Sequence, residues 1–181
     1  MDARIILGID PGLANTGWGV IAASKQKLIP LAYGCIQTYK SQELPLRLCI
    51  ISDELKIIVQ KYNPQEVSVE SIFFCANTKS AMLTAQARGA ALCACGQMNL
   101  DYAEYTPMQI KQALVGTGAA DKYQVQYMVK AVLNFSDIPK PDHAADALAA
   151  AICHARMKPA ILKEAHSKQI YKQNKILKEE A

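Results

Sequence analysis

IILGIDPG, residues 5–12, is an apolar run that ends in an aspartate and a Pro-Gly turn. The apolar part predicts a buried β-strand, which places Asp10 at the mouth of that strand. A carboxylate in this position is costly to desolvate unless a cation offsets its charge. We therefore expect a metal ion, or a substrate that brings one, beside Asp10, although an aspartate here can also cap a turn.

Three further candidate ligands lie downstream of Asp10. Glu70 ends a second apolar strand pattern, and His143 and Asp146 are three residues apart, so they share one face of a helix. Glu70 could instead be an exposed strand end, and His143 a helix residue without a function. Asp146 lies among alanines, which makes a plain surface position harder to argue. Asp142 follows a proline and is expected to cap the helix, although it could also be a ligand.

The composition is that of one soluble globular domain. The chain has 181 residues, of which 51% are hydrophobic and 20% are charged. Its net charge of +4 comes entirely from residues 156–181, because the first 155 residues hold equal numbers of acidic and basic side chains. This basic tail could attract phosphates, although a solvated helix or a frayed terminus is the more common meaning of such a segment.

The cysteines and the hydropathy pattern predict a cytoplasmic protein. None of the six cysteines forms a C-x-x-C pair, so buried thiols in a reducing compartment are expected and a zinc site is not. The N-terminal apolar run is too short for a signal peptide, and no run is long enough to span a membrane.

The periodicity of apolar residues predicts an α/β fold. Strands are predicted for residues 4–10, 16–23, 28–38, 67–70 and 101–105, and helices for 45–62, 78–97, 107–114, 121–134 and 142–156. Short connections make the first three strands antiparallel, and the helices between the later strands make those parallel. We therefore expect a five-stranded mixed sheet with helices on both faces.

Six segments together resemble the RuvC family of Holliday-junction resolvases. They are ILGIDPG (6–12), TGWGVI (16–21), VESIFF (69–74), AQARGA (85–90), IKQALVGTGAADKYQVQYMV (110–129) and HAADALA (143–149). Their order and spacing match the family over residues 4–155. The resemblance implies a ribonuclease-H-like nuclease domain at residues 1–156, followed by a basic tail at 157–181 that is helical or disordered.

The resemblance also implies an activity and its partners. Members of the family are homodimeric hydrolases that use magnesium to nick two strands of a four-way DNA junction symmetrically, in recombination and DNA repair. Branch-migration motor proteins are the protein partners that the resemblance implies.

Carried over by position, the resemblance assigns the catalytic and metal-binding site to Asp10, Glu70, His143 and Asp146, with two Mg²⁺ ions per site. Many family members have an aspartate where this chain has His143. Imidazole is a softer ligand that suits manganese better than magnesium, so Mn²⁺ is a plausible alternative cofactor. We expect His143 to bind the second metal or to orient the attacking water.

The resemblance also points to residues that hold the DNA, namely Phe73, Phe74, Arg88, Lys111 and Lys122. Phe73 is expected to stack on bases near the junction centre, and the two lysines to contact the scissile phosphate. A core phenylalanine and two exposed helix lysines are the ordinary alternatives. The helix that contains Arg88 and Gly89 is the expected dimer contact, although internal packing could also explain the glycine.

Three other functions compete with a junction resolvase. His143 in place of an aspartate favours a catalytically weak junction-binding protein. A ribonuclease-H-like nuclease with another nucleic-acid substrate would have the same site. An actin-like phosphotransferase shares the Gly-x-Asp-x-Gly turn, but it needs two lobes and a second phosphate loop, for which 181 residues are too few.

Overall fold

The computed structural model describes residues 3–71 and 78–157. The strands are β1 (Arg4–Asp10), β2 (Asn15–Ala23), β3 (Leu28–Gln37), β4 (Glu66–Glu70) and β5 (Asp101–Tyr105). The helices are α1 (Leu44–Tyr62), α2 (Thr78–Gln97), α3 (Pro107–Val115), α4 (Lys122–Leu133) and α5 (Asp142–Arg156). All ten elements lie where the apolar pattern predicts them, with ends that differ by at most about two residues, the usual uncertainty of element boundaries.

The strands form one mixed sheet in the order β3-β2-β1-β4-β5. β1 is antiparallel to β2 and parallel to β4, and β4 is parallel to β5. The predicted five-stranded sheet, antiparallel and then parallel, is confirmed. Because Ile9 pairs with Val69, the next residues in the two strands, Asp10 and Glu70, lie at the same end of the sheet.

Alternation along the central strands divides the core into two layers. Leu7 and Ile9 pack against α1 and α2, whereas Ile6 packs against the layer that contains α3, α4 and α5. Side chains two residues apart in a strand share a face, so Asp10 faces the same layer as Ile6. The strand therefore directs Asp10 towards α5 rather than towards α1.

Two glycines allow α5 to lie very close to the sheet. A Cβ atom on Gly17 would be 1.9 Å from the backbone oxygen of His143, and one on Gly8 would be 2.0 Å from that of Ala147. No side chain fits at these two positions while α5 keeps its place. The first turn of α5 is thus brought against the ends of β1 and β2.

The part of the chain that the structure describes contains no helix long and apolar enough to cross a membrane. Residues 158–181, most of the predicted basic tail, lie outside the described residues. The division into a nuclease domain and a tail stays a prediction.

Candidate active site

Three of the four predicted ligands meet where β1 ends and α5 begins. Ligand atoms of Asp10, His143 and Asp146 all lie within 4.8 Å of one another. Asp10 comes from the end of the central strand, and the other two come from the first two turns of α5. His143 Nδ1 is 2.8 Å from Asp10 Oδ2, so the imidazole and the carboxylate share a hydrogen bond.

Glu70, the fourth predicted ligand, lies beside this group but outside the 4.8 Å cluster. Burial, together with the negative charges of Asp10 and Asp146, raises the pKa of Glu70 to about 7. Lys111 and Lys122 oppose this rise. A cation bound beside these acids would favour the charged form of Glu70.

The other site residues respond to the same crowding. Burial and the charge of Asp10 raise the pKa of Asp146, although Lys122 opposes the rise. The hydrogen bond to Asp10 raises the pKa of His143, against the effect of burial. The protein thus gathers negative charge at this point and offsets it only in part.

Two lysines complete the site. Lys122 Nζ lies 3.2 Å from Asp146 and 3.5 Å from Asp142. Lys111, Lys122, Glu70 and Asp146 line one cleft of about 170 Å³ between the sheet and helices α3 to α5. Cationic side chains beside carboxylates in a cleft can hold a phosphate close to bound metal ions.

The expected capping role of Asp142 is wrong. The N-cap of α5 is Pro141, and Asp142 is the first residue of the helix, with no side-chain capping hydrogen bond. Its carboxylate instead pairs with Lys140 at 2.9 Å and with Lys122. A negative charge in the first turn interacts favourably with the helix dipole, so an aspartate at position 142 still stabilises the start of α5.

The structure describes one of the three remaining predicted DNA contacts, Arg88. Phe73 and Phe74 lie outside the described residues. Arg88 is engaged within the chain, since its guanidinium is 2.8 Å from Glu104 and donates to the hydroxyl of Tyr102 at 2.7 Å. Its role in DNA binding therefore stays a prediction.

Internal packing does not explain Gly89. A Cβ atom at this exposed position would meet nothing within 4 Å, and the same is true of Gly96 two turns later. Glycine in a helix interior costs about 0.5–1 kcal/mol relative to alanine. The cost has no compensation among the described residues.

Sequence reasoning missed the residues that hold α5 in place. Gly8 and Gly17 are required by close approach, and Glu66 and His154 form a buried polar pair below the site. The signal was present in β4, whose sequence EVSVE places three polar residues on one face of a strand with valines on the other. A polar strand face inside a domain must meet polar partners.

The donor set fits a divalent metal ion. Oxygen atoms of carboxylates with one imidazole nitrogen suit magnesium and manganese, and manganese is the ion that better tolerates the imidazole. A bound cation would stabilise the charged forms of Glu70 and Asp146 and so lower their raised pKa values.

Comparison with known proteins gives matches over most of the chain. The profile of the family described as crossover junction endodeoxyribonuclease RuvC matches residues 6–154. The crossover junction endodeoxyribonuclease RuvC of Endomicrobium trichonymphae is 45% identical over 178 residues, which are 98% of this chain and 94% of that protein. Its counterpart in Alkaliphilus oremlandii (strain OhILAs) is 50% identical over 83% of this chain and 92% of that protein.

A solved structure is also similar. Thermus thermophilus RuvC in complex with a Holliday junction substrate superposes with a TM-score of 0.80 and 34% sequence identity, covering 84% of this chain and 93% of that one.

Proposed function

The chain belongs to the RuvC family of crossover junction endodeoxyribonucleases, and we propose that it resolves four-way DNA junctions by metal-dependent hydrolysis at Asp10, Glu70, His143 and Asp146. The observation that carries the proposal is the convergence of Asp10, His143 and Asp146 within 4.8 Å at the end of the central strands. Glu70 beside them supplies a further carboxylate that is difficult to ionise alone.

Divalent cations would enter as the cofactor, with two per site as the proposed number. Bound there, they activate a water molecule and stabilise the leaving oxygen of a phosphodiester. Asp10 lies in one cluster with His143 and Asp146 and at the same end of the sheet as Glu70, so it is our candidate for the residue that would hold both ions. Glu70, His143 and Asp146 would complete the two coordination shells.

We assign His143 to the metal site because its ring is held against Asp10. An imidazole at this position predicts that Mn²⁺ supports cleavage better, relative to Mg²⁺, than an aspartate would. The variant His143→Asp should therefore raise the ratio of magnesium to manganese activity. The matched control is Asp142→Ala, which removes the neighbouring acid that lies outside the three-residue cluster.

Lys111 and Lys122 are proposed to hold the scissile phosphate. Lys122 already reaches Asp146 at 3.2 Å, and both lysines line the cleft with Glu70. A phosphate over the carboxylates would lie within reach of these cations, which would stabilise the charge that develops during the reaction.

We further propose a homodimer that pairs through α2. Met82, Gly89, Cys93 and Gly96 recur on one exposed face of this helix, and two of them are glycines with empty space above them. Small residues on a helix face permit close approach of a second helix, and a two-fold dimer would present two sites to the two strands of a junction.

We also propose that Phe73 stacks on bases of the junction and that the protein contacts branch-migration motor proteins.

The test is cleavage of a synthetic four-way junction, compared with a linear duplex of the same sequence, in Mg²⁺, Mn²⁺ or EDTA. We expect two symmetric nicks in the junction, none in the duplex, and none in EDTA. The variant Asp10→Asn should bind the junction without cutting it. Equal cleavage of junction and duplex would support a nuclease of another substrate, and binding without any cleavage would leave a junction-binding protein.

A further inference from the structure

Helix α5 carries two of the candidate ligands, so its position along its own axis decides whether they reach Asp10. Six of its ten buried residues are alanines, and the sheet beneath it offers Gly8 and Gly17. Leu148 and Ile152 are the larger apolar side chains buried on this helix. A slip by one residue would move α5 about 1.5 Å along its axis and turn it by about 100°, which would carry Asp146 away from Asp10.

Directional contacts between β4 and α5 add to this apolar packing. His154 Nε2 is 2.7 Å from Glu66 Oε2, and Ser68 Oγ donates to the backbone oxygen of Ala150 at 2.9 Å. Two residues of a strand span about 6.6 Å and four residues of a helix about 6.0 Å, so the two spacings nearly match. Glu66, Ser68 and Glu70 therefore oppose His154, Ala150 and Asp146 in turn.

The contacts of Glu66 and Ser68 with His154 and Ala150 form a ladder between β4 and α5. Its end at Glu66 and His154, farthest from the ligand cluster, is buried and paired. His154 is 2% exposed and Glu66 is 7% exposed. The other ring nitrogen of His154, Nδ1, lies 2.7 Å from the hydroxyl of Tyr105, and Arg4 contacts Glu66 at 2.8 Å. Although burial opposes it, the hydrogen bond from His154 and the charge of Arg4 lower the pKa of Glu66.

A shifted helix would break these contacts and leave polar groups buried without partners. A buried donor or acceptor without a partner is destabilising, and a charged one more so. The polar contacts thus favour the observed register even if they add little net stability.

We propose that His154 and Glu66 are positioning residues, which set the register of α5 so that His143 and Asp146 meet Asp10 at the strand ends. They touch neither substrate nor metal and act only through the helix. The proposal rests on the proposed function for its meaning in catalysis, but the geometry of the ligand cluster can be tested without any DNA.

The experiment measures Mn²⁺ binding by electron paramagnetic resonance and, separately, junction cleavage. We expect His154→Leu to weaken Mn²⁺ binding and to lower kcat, each by tenfold or more, with KM for the junction within twofold of wild type. His154→Gln keeps a donor towards Glu66 and should recover most of the affinity. The control, Leu55→Ala, removes a buried side chain on the opposite face of the sheet.

All variants are compared at a temperature where each is folded, and Leu55→Ala should bind Mn²⁺ as wild type does despite its lower stability. Equal Mn²⁺ affinities of His154→Leu and Leu55→Ala would overturn the positioning role. If His154→Leu does not fold, Ser68→Ala, which removes the other contact between β4 and α5, takes its place: weakened Mn²⁺ binding supports the positioning role, and an unchanged Mn²⁺ affinity overturns it. Wild-type protein that binds Mn²⁺ but cuts no junction would refute the proposed function and leave the positioning role standing.

Discussion

The substitution Glu70→Gln should stabilise the protein in EDTA while it abolishes cleavage. Glu70 is raised to a pKa of about 7 by burial and by the charges of Asp10 and Asp146. The glutamine side chain has the same shape but carries no charge, so it avoids both the cost of desolvation and the repulsion by Asp10 and Asp146. The carboxylate of Glu70, which we propose the reaction needs, therefore destabilises the folded protein when no metal is bound.

The size of the effect follows from the pKa. Its ordinary value is 4.5, and each unit corresponds to about 1.36 kcal/mol, so the folded state is destabilised by up to about 3 kcal/mol once Glu70 is ionised. An unfolded chain loses this proton near pH 4.5, whereas the folded protein keeps it until about pH 7. The free energy of unfolding should fall across this window and be constant above it.

The assay is urea denaturation in EDTA at pH 4.5, 6 and 8, at one protein concentration. Glu70→Gln should exceed wild type by about 2–3 kcal/mol at pH 8 and by little at pH 4.5. Added Mn²⁺ should stabilise wild type more than the variant, because the cation removes the repulsion. Glu54→Gln, at an exposed position on α1, is the control. A gain at pH 8 no larger than that at pH 4.5 would show that the carboxylates do not repel one another as described.

Three further outcomes test other parts of the structure. Gly17→Ala should lower cleavage at least a hundredfold, because its Cβ would displace the start of α5. The control Gln60→Ala, at an exposed position on α1, should leave cleavage intact, and equal rates of the two variants would contradict the close packing. Gly89→Leu should weaken a dimer measured by analytical ultracentrifugation, and an unchanged dimer would exclude this face of α2. Glu66→Gln should lower the free energy of unfolding, measured by urea denaturation, at pH 7 but progressively less as the pH falls below 4.5. The reason is that the lowered pKa of Glu66 provides stability that is lost when the carboxylate is protonated. A difference between variant and wild type that does not depend on pH would refute the ionic contribution.

The secondary structure and the strand directions could be predicted because local signals agree with the final fold. Alternation of apolar residues in the strands and their helical spacing elsewhere point to the same elements. Asp10 and Glu70 could be placed together because parallel neighbours end at one edge of a sheet. These inferences need only the order of elements and their direction.

Other features depend on distances between segments that no local pattern reports. Asp142 has the residue type of an N-cap, but the helix begins one residue earlier and Lys140 and Lys122 attract its carboxylate. The contact between Glu66 and His154 joins positions 88 residues apart. The requirement for glycine at position 17 appears only when α5 is laid on the sheet.

The hydrogen bond between Asp10 and His143 joins residues 133 positions apart, from the first strand and the last described helix. During synthesis, a nascent chain can therefore pair its early strands long before α5 is made. Until residue 146 has been translated and α5 has docked, the cluster of ligands cannot exist. Contacts of such long range are slow to form, so the nuclease should acquire its activity as one of the last events of folding.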